Sequence, residues 1–319
     1  MLAFLLRRLL LALFVLLAVS FLTFWFFTKN FYVVGTTMLQ ESPVRAWWEW
    51  LTGIPHGSLG RGIIGQPLWH DTLQALGHTA LLLLGAFVLV VVFALVVGTL
   101  SAVCEGTAVD VVLRALSYLA WGVPAFLLGL VLQNVLQSLW SAIHAQPLPL
   151  AGWPGTCYIG LTGGFNNGDC SASGLAYVGQ LAQHLVVPSV ALAASFIGLH
   201  ARYLRSSLLV ALNAPYTTVA RAKGLTERRV VRHALRNSLV TFVSALLLDF
   251  GSIFGAAMAI DYIFGLRGIG GQFIATIANP NIDPHQVQLI LILTATLVLL
   301  SSLLAELAVG WLDPRVRLR

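Results

Sequence analysis

Charge is what this sequence has least of: Asp, Glu, Lys and Arg make up 9% of its 319 residues, against 58% hydrophobic ones, with a mean hydropathy of +0.87. A soluble domain wets its surface with about 25% charged residues, so the scarcity excludes a water-soluble globule, and the apolar excess excludes a disordered chain. Only two cations are lysines, Lys29 and Lys223, and neither follows a glycine. No Walker A phosphate loop exists, and the chain cannot hydrolyse ATP by that route. Cysteine is nearly absent, three in all, which excludes a disulfide-dense miniprotein. The eight histidines are scattered, without an HExxH pattern or Cys/His metal spacing, and nothing resembles a nucleophile elbow. A non-catalytic chain is expected, with no metal or cofactor of its own. It has no internal repeat, heptad array or long linker.

What the sequence does have is long uncharged runs. About 20 residues in helix cross about 30 Å of hydrocarbon. Such runs lie at Leu9 to Phe27, Gly77 to Val103, Ala115 to Ala142, Leu185 to Ala201, Leu239 to Ile260 interrupted only by Asp249, and Val287 to Trp311 interrupted only by Glu306. They are far longer than the ~10-residue strands of a membrane barrel, and lipid leaves no partner for unpaired backbone, so six transmembrane helices are expected. The first run exceeds the about 7 to 15 apolar residues of a signal peptide and leads into Thr28-Lys29-Asn30 without a small-residue cleavage site, so it reads as an uncleaved helix. The expected division is a first helix and outer loop over 1–74, then a five-helix core over 75–319 with a cytoplasmic connector over 206–238.

Cytoplasmic segments retain Lys and Arg. Fourteen of the eighteen fall in the N-terminus (Arg7, Arg8), the second-to-third connector (Arg114), the fourth-to-fifth connector (from Arg202 to Arg236) and the C-terminus (Arg315, Arg317, Arg319). Both termini are therefore expected in the cytoplasm. The pI of about 9.6 is topological and requires no nucleic-acid partner. Cys157 and Cys170 lie in one outer loop and form a candidate disulfide, worth about 3 kcal/mol in the chain-entropy model, with two free thiols as the alternative. Trp25, Trp140 and Trp311 sit at span ends as interfacial anchors. Trp47-Trp48-Glu49-Trp50 marks either a short helix on the outer leaflet or a docking surface.

The connector between spans four and five is organised, with Tyr216 to Leu239 reading YTTVARAKGLTERRVVRHALRNSL. Pro215 suits the first position of a helix, Gly224 breaks the run, and Thr226 can cap a second helix with Glu227 in its first turn, giving helix, turn, helix. Arg228, Arg232 and Arg236 form a basic stripe at four-residue spacing. That stripe fits anionic lipid or a groove in a cytoplasmic protein.

Within this stretch Ala220-Arg221-Ala222-Lys223-Gly224-Leu225, Glu227-Arg228-Arg229-Val230 and His233-Ala234-Leu235-Arg236-Asn237 closely resemble the EAA loop of ABC importer permeases of the dipeptide/oligopeptide/nickel family. The resemblance extends to Arg7-Arg8, to Val123 through Gly129, to Asp261-Tyr262-Ile263-Phe264-Gly265 with Gly268-Ile269-Gly270, and to Leu312-Asp313-Pro314-Arg315, and is to the B-type subunit. The general EAA glutamate has no counterpart at Thr218, Phe31 to Gly35 stand where the family often has Pro-Gly-Asp-Pro, and Leu266-Arg267 stand where it often has Trp-Pro. The resemblance implies a type I importer permease in the cytoplasmic membrane of a prokaryote. It implies pairing with a second homologous permease, two ATPase subunits that bind ATP and Mg, and an extracytoplasmic solute-binding protein. Ala220, Arg221, Ala222, Lys223, Gly224 and Leu225, with Arg228 and Arg232, would then couple to an ATPase, and the solute would be a di- or oligopeptide.

An intramembrane carboxylate costs about 2.5 to 3.5 kcal/mol on insertion scales and must face protein or water. Asp249 either lines the translocation path, beside a kink at Pro124, or is bonded to Ser244, Ser252 or a partner helix. Gly251 and Gly255 form a GxxxG suited to close helix packing. The rival reading is a stand-alone secondary transporter or channel in which Asp249 and Glu306 carry protons or ions. The inverted repeat that would favour that rival is absent from the sequence.

Overall fold

The computed structural model describes residues 2–30, 42–56, 61–62, 65–143, 151–154, 157–159, 164–166, 174–278 and 283–312. In chain order these form α1 (Leu2–Asn30), α2 (Pro43–Gly53, extended by a 3-10 turn over Ile54–His56), α3 (Trp69–Val103), α4 (Ala108–Gly122), α5 (Ala125–Ile143) and a two-stranded ribbon of β1 (Cys157–Ile159) and β2 (Gly164–Asn166). After the ribbon come α6 (Leu175–Leu212), α7 (Pro215–Ala222), α8 (Glu227–Leu248), α9 (Phe250–Phe264), α10 (Ile269–Ala278) and α11 (Pro284–Leu312). Five helices, α1, α3, α5, α6 and α11, are each long and apolar enough to cross a membrane, and α8 with α9, bent by 49° between them, make a sixth span.

The expected elements are present with altered bounds. The run Ala115 to Ala142 is not one helix: α4 already starts at Ala108 and ends at Val123, which is extended at φ −99, ψ 125. Pro124 causes the break, because its ring disfavours helical geometry in the residue before it. The organised connector is mostly helix continued from the spans, since α6 runs on to Leu212 and α8 begins at Glu227. α3 begins at Trp69, so residues 69–74 form its first turns. The antiparallel pairing of Cys157 with Asn166 and of Ile159 with Gly164 makes a small ribbon where only loop was expected in an all-helical chain. The proposed partner of Cys157, Cys170, and both side chains lie outside the described residues.

Lipid tails are as apolar as leucine, so helices associate here by close packing of small residues. On α3, Leu82, Ala86, Val90 and Ala94 recur every four residues at 0% exposure and meet Ala191, Leu192, Ala201 and Leu204 of α6. The approach is backbone to backbone: a Cβ on Gly98 would stand 2.7 Å from the Ala201 carbonyl, and one on Gly85 2.6 Å from Ser189 Oγ. Gly129 similarly admits Ile260 and Phe264 of α9 against α5. By contrast α1 buries only one narrow face, Ser20, Thr23, Phe24 and Phe27 at helical spacing, and packs on α11 and α2. Trp47 donates from Nε1 to Ser20 Oγ at 2.9 Å, and Trp50 lies 5.4 Å from the Phe24 ring. Of the tryptophan cluster, Trp47 and Trp50 therefore bind α2 to α1, and Trp48 remains exposed.

Candidate functional site

The turn between α7 and α8 is fixed by local chemistry. Pro215 occupies the first turn of α7, and Thr217 is fully buried, donating to the carbonyls of Leu212 and Ala214 at 2.8 and 2.6 Å. At the other end Leu225 N–H donates to Ala220 O at 3.2 Å and Gly224 N–H to Arg221 O at 2.9 Å. That pair of bonds is a Schellman cap, which needs a left-handed residue after the helix. Gly224 supplies it at φ +79, and a Cβ there would meet no atom within 4 Å, so conformation and not space demands the glycine. Thr226 is the extended N-cap of α8, without a side-chain bond, and Glu227 follows it. Arg221 Nε donates to Glu227 Oε1 at 2.9 Å, clamping the two helices across the turn.

This arrangement exposes an apolar patch. Val219 is 52% exposed, and Tyr216 and Leu225 are exposed beside it. Ala222, Lys223, Arg228, Arg232 and Arg236 are also exposed, while Ala220 is half-buried. The opposite face of α8 is anchored, with Val230 and Ala234 at 0% exposure and Ala234 packed against Leu208 and Ala211 of α6. Of the residues assigned to coupling, Arg221 bonds through its side chain to its own chain, at the surface, to Glu227 and to the Leu212 carbonyl.

α8 leads from this turn directly to Asp249, which ends α8 and starts α9 with ψ near 0 at the 49° bend. Beside its carboxylate stands a residue the sequence reading missed: His200 Nε2 lies 3.4 Å from Asp249 Oδ2 without a hydrogen bond. Ser244 instead donates to Val240 O at 2.7 Å, which removes it as a partner through that proton. His200 is wholly buried, and its Nδ1 is 2.9 Å from Phe196 O. Because a carbonyl only accepts, Nδ1 carries a proton and Nε2 is left facing the carboxylate. The other intramembrane acid, Glu306 on α11, pairs with Arg8 of α1. A Cβ on Gly251 would stand 3.1 Å from Val298 of α11, whereas one on Gly255 would meet nothing within 4 Å among the described residues. Pro124 accepts Leu127 N–H at 3.0 Å in the first turn of α5, and Val123 O beside it accepts Ser195 Oγ at 2.9 Å.

Two further acids hold the helices together. Asp110, 1% exposed, takes a bidentate pair from Arg205 at 2.9 and 2.8 Å and a 2.6 Å bond from Ser101 Oγ, joining α3, α4 and α6 near the α7 end. The Arg205 guanidinium holds the Asp110 carboxyl well below the usual carboxylate range, against the opposing effect of burial. Asp261, 0% exposed, accepts Gly268 N–H at 3.0 Å, Gly270 N–H at 2.9 Å and Thr79 Oγ1 at 3.1 Å. It thereby caps the start of α10. A Cβ on Gly268 would collide with the Asp261 carboxylate, and one on Gly270 with Met258 O, which explains the glycine spacing in Gly268-Ile269-Gly270. Among the described residues no three His, Cys, Asp or Glu gather where they could hold a metal ion.

Residues 91–318 match the family described as "Binding-protein-dependent transport system inner membrane component". The chain belongs to this family. It is a permease subunit of an ABC importer, a non-catalytic class in which ATP hydrolysis resides in partner subunits. The matched span runs from the middle of α3 through α11 and so includes the helix–turn–helix, Asp110, Asp249 and Asp261. The permease is 27% identical to the oligopeptide transport system permease protein OppB of Mycobacterium tuberculosis over 271 residues, covering 84% of this chain and 79% of that one. It is 26% identical to the dipeptide transport system permease protein DppB of Escherichia coli over 284 residues, again 84% and 79%. A probable peptide ABC transporter permease protein of Sinorhizobium fredii, y4tP, is 29% identical over 221 residues, 69% of this chain and 63% of the relative.

Proposed function

We propose that this permease forms half of the translocation pathway of an ATP-driven, binding-protein-dependent importer of di- and oligopeptides, and that α7 is where an ATPase subunit docks. The observation that carries the reading is the exposed patch of Tyr216, Val219 and Leu225 on a rigidly capped turn, flanked by Lys223 and Arg228. A groove of matching shape would bury the patch, and the Arg221–Glu227 clamp keeps the turn from collapsing under load. From that turn α8 is a continuous rod to the bend at Asp249, so a displacement of the turn reaches the middle of the fifth span without passing through a further loop. The movement would be a rigid-body shift between two states, biased by the nucleotide bound to the ATPases. ATP and Mg belong to those subunits. A second homologous permease supplies the other half of the path, and a binding protein delivers the solute on the side opposite α7. Both termini lie in the cytoplasm. The named relatives that carry peptides support the choice of solute.

The rival reading, a stand-alone secondary transporter or channel, draws support only from the buried His200–Asp249 contact. One substitution separates the two. Gly224→Val forces a β-branched residue into the left-handed region at a cost of roughly 1–2 kcal/mol, touching nothing near Asp249. Peptide import by the reconstituted complex is expected to fall at least about tenfold while insertion and pairing with the second permease persist. Unchanged import would remove the coupling reading.

A further inference from the structure

At the end of the bundle opposite α7 a cavity of about 330 Å³ opens between the start of α3, the segment 151–154, the start of α6 and the corner after α9. Its polar lining comes from separate parts of the chain. Asp71, Gln74 and His78 stand on one face of α3 at helical spacing, and Trp153, Tyr177 and Arg267 complete the walls. The floor is prebuilt. The His78 ring stacks on Trp153 with centroids 3.7 Å apart and planes 18° from parallel, and its Nδ1 lies 3.3 Å from Arg267 O. The segment under Trp153 is tied on both sides, Gly152 N–H donating to Phe264 O at 2.8 Å and His184 Nδ1 meeting Gly152 O at 3.0 Å.

Arg267 is held in a conformation its side chain does not favour. Its φ of +56 is the only positive value at a non-glycine among the described residues. Such a conformation persists where the surroundings over-determine it, and it recurs at ligand clamps. Here Leu266 is fully buried and its N–H donates to Asp261 O at 3.0 Å, while Gly268 N–H is held by the Asp261 carboxylate. The corner is thus clamped on each side of Arg267, which stands exposed at the cavity. Proline, fixed near φ −65, could not stand here. Across the cavity Asp71 offers a carboxylate, 3.5 Å from His70 Nδ1.

We propose that this cavity is a binding site for the free ends of a short peptide. The α-carboxylate meets the Arg267 guanidinium, the α-ammonium meets Asp71, and Trp153 and Tyr177 provide the wall for a side chain. One acid and one base lining one cavity complement a zwitterion, and Arg pairs with carboxylate in a two-pronged geometry. The volume sits at the small end of the about 300–1,000 Å³ of ligand clefts. A tripeptide, at most about 10 Å long when extended, suits it. The site would retain cargo at the mouth of the pathway after release from the binding protein, and it rests on the reading of this chain as a peptide importer permease.

The test uses the whole complex with its second permease and ATPases in nanodiscs, without binding protein or ATP, titrated with tri-alanine, N-acetyl-tri-alanine and tri-alanine amide. Saturable binding of tri-alanine is expected, weakened at least about tenfold by either cap. Arg267→Gln should abolish discrimination against the amide, and Asp71→Asn discrimination against the acetylated peptide. Arg267→Gly removes the charge while relieving the backbone, so loss of binding in it cannot be ascribed to misfolding. Absent binding, binding indifferent to caps and variants, or variants that weaken only the affinity for the binding protein would each overturn the proposal. Binding-protein-dependent import of labelled tri-alanine is measured in parallel with the unaltered complex. Import without binding in nanodiscs defeats this site alone, whereas failed import defeats the peptide reading beneath it.

Discussion

At the α7 end, the turn over 223–226 is held by its own neighbours, Gly224 bonding to Arg221 and Leu225 to Ala220, with Arg221 reaching to Glu227 and to the Leu212 carbonyl. At the opposite end, the corner over 265–268 is held by the nearby Asp261 and also from another helix, Thr79 of α3 donating to Asp261 and accepting from Ile269 N–H some 190 positions away. The first turn is exposed throughout, whereas in the second Leu266 and Gly268 are buried and Arg267 is exposed. A surface that must enter another protein can be specified locally and left bare of its own chain. A corner that must keep a polar backbone dry inside a helix bundle also draws a partner from another helix.

This contrast ranks the effects of substitution. The largest is expected at Asp261, where alanine would strand the Gly268 and Gly270 N–H groups in a buried site at about 1–3 kcal/mol each, while the Thr79 hydroxyl keeps the Ala75 carbonyl as an acceptor. Asp261→Ala should therefore leave little assembled protein after detergent extraction, measured by size exclusion. Recovery equal to the unaltered chain would mean that the far corner does not depend on its bonds to Asp261.

Next comes the Asp110–Arg205 pair, which is buried but lies near the α7 end. Arg205→Ala would remove the bidentate partner of the Asp110 carboxylate, leaving the more exposed Arg114 3.3 Å away as its remaining cation, and is expected to cost up to about 3–5 kcal/mol, read from thermal unfolding of the solubilised complex. Its pH dependence has a definite sign. Because the folded-state carboxyl titrates below its unfolded value, the folded state binds fewer protons than the unfolded one. The stabilisation is full above the ordinary carboxylate pKa of about 4 and is lost as pH falls below it. The unaltered chain should lose its advantage over Arg205→Ala on acidification below about pH 4, and an advantage that grows with acid would contradict the pairing. The smallest folding effect belongs to the turn itself, where Gly224→Val costs only the roughly 1–2 kcal/mol of a strained φ, although it is expected to stop import.

The same contrast explains what could be read from the sequence. Six spans followed from uncharged runs, and α7, the turn and the start of α8 followed from Pro215, Gly224 and Thr226, because each signal acts within a few residues of itself. The bend at Asp249 had a local sign, a lone acid in an apolar run, but its neighbour His200 lies on another helix and has none. The motif Asp261 through Gly270 was recognisable by resemblance, and only the fold gives its reason, a carboxylate seated where two glycines leave room. The α3–α6 contact at Gly85 and Gly98 was not singled out, while the space beside Gly255 of the GxxxG is open among the described residues. Helix packing in lipid depends on which faces meet, and spacing within one helix does not specify the partner face.

The central claim, that α7 is the ATPase docking element, is tested most directly by co-purification with Val219→Asp, which puts a charge in the exposed patch without touching the buried face of α8. Tagged unaltered chain extracted in mild detergent should bring down a second six-span permease and Walker A-bearing subunits in near-stoichiometric amounts. With Val219→Asp the permease partner should remain and the ATPase recovery should fall at least about tenfold. Full ATPase recovery with the charged variant, or an unaltered chain that emerges alone, would contradict the account.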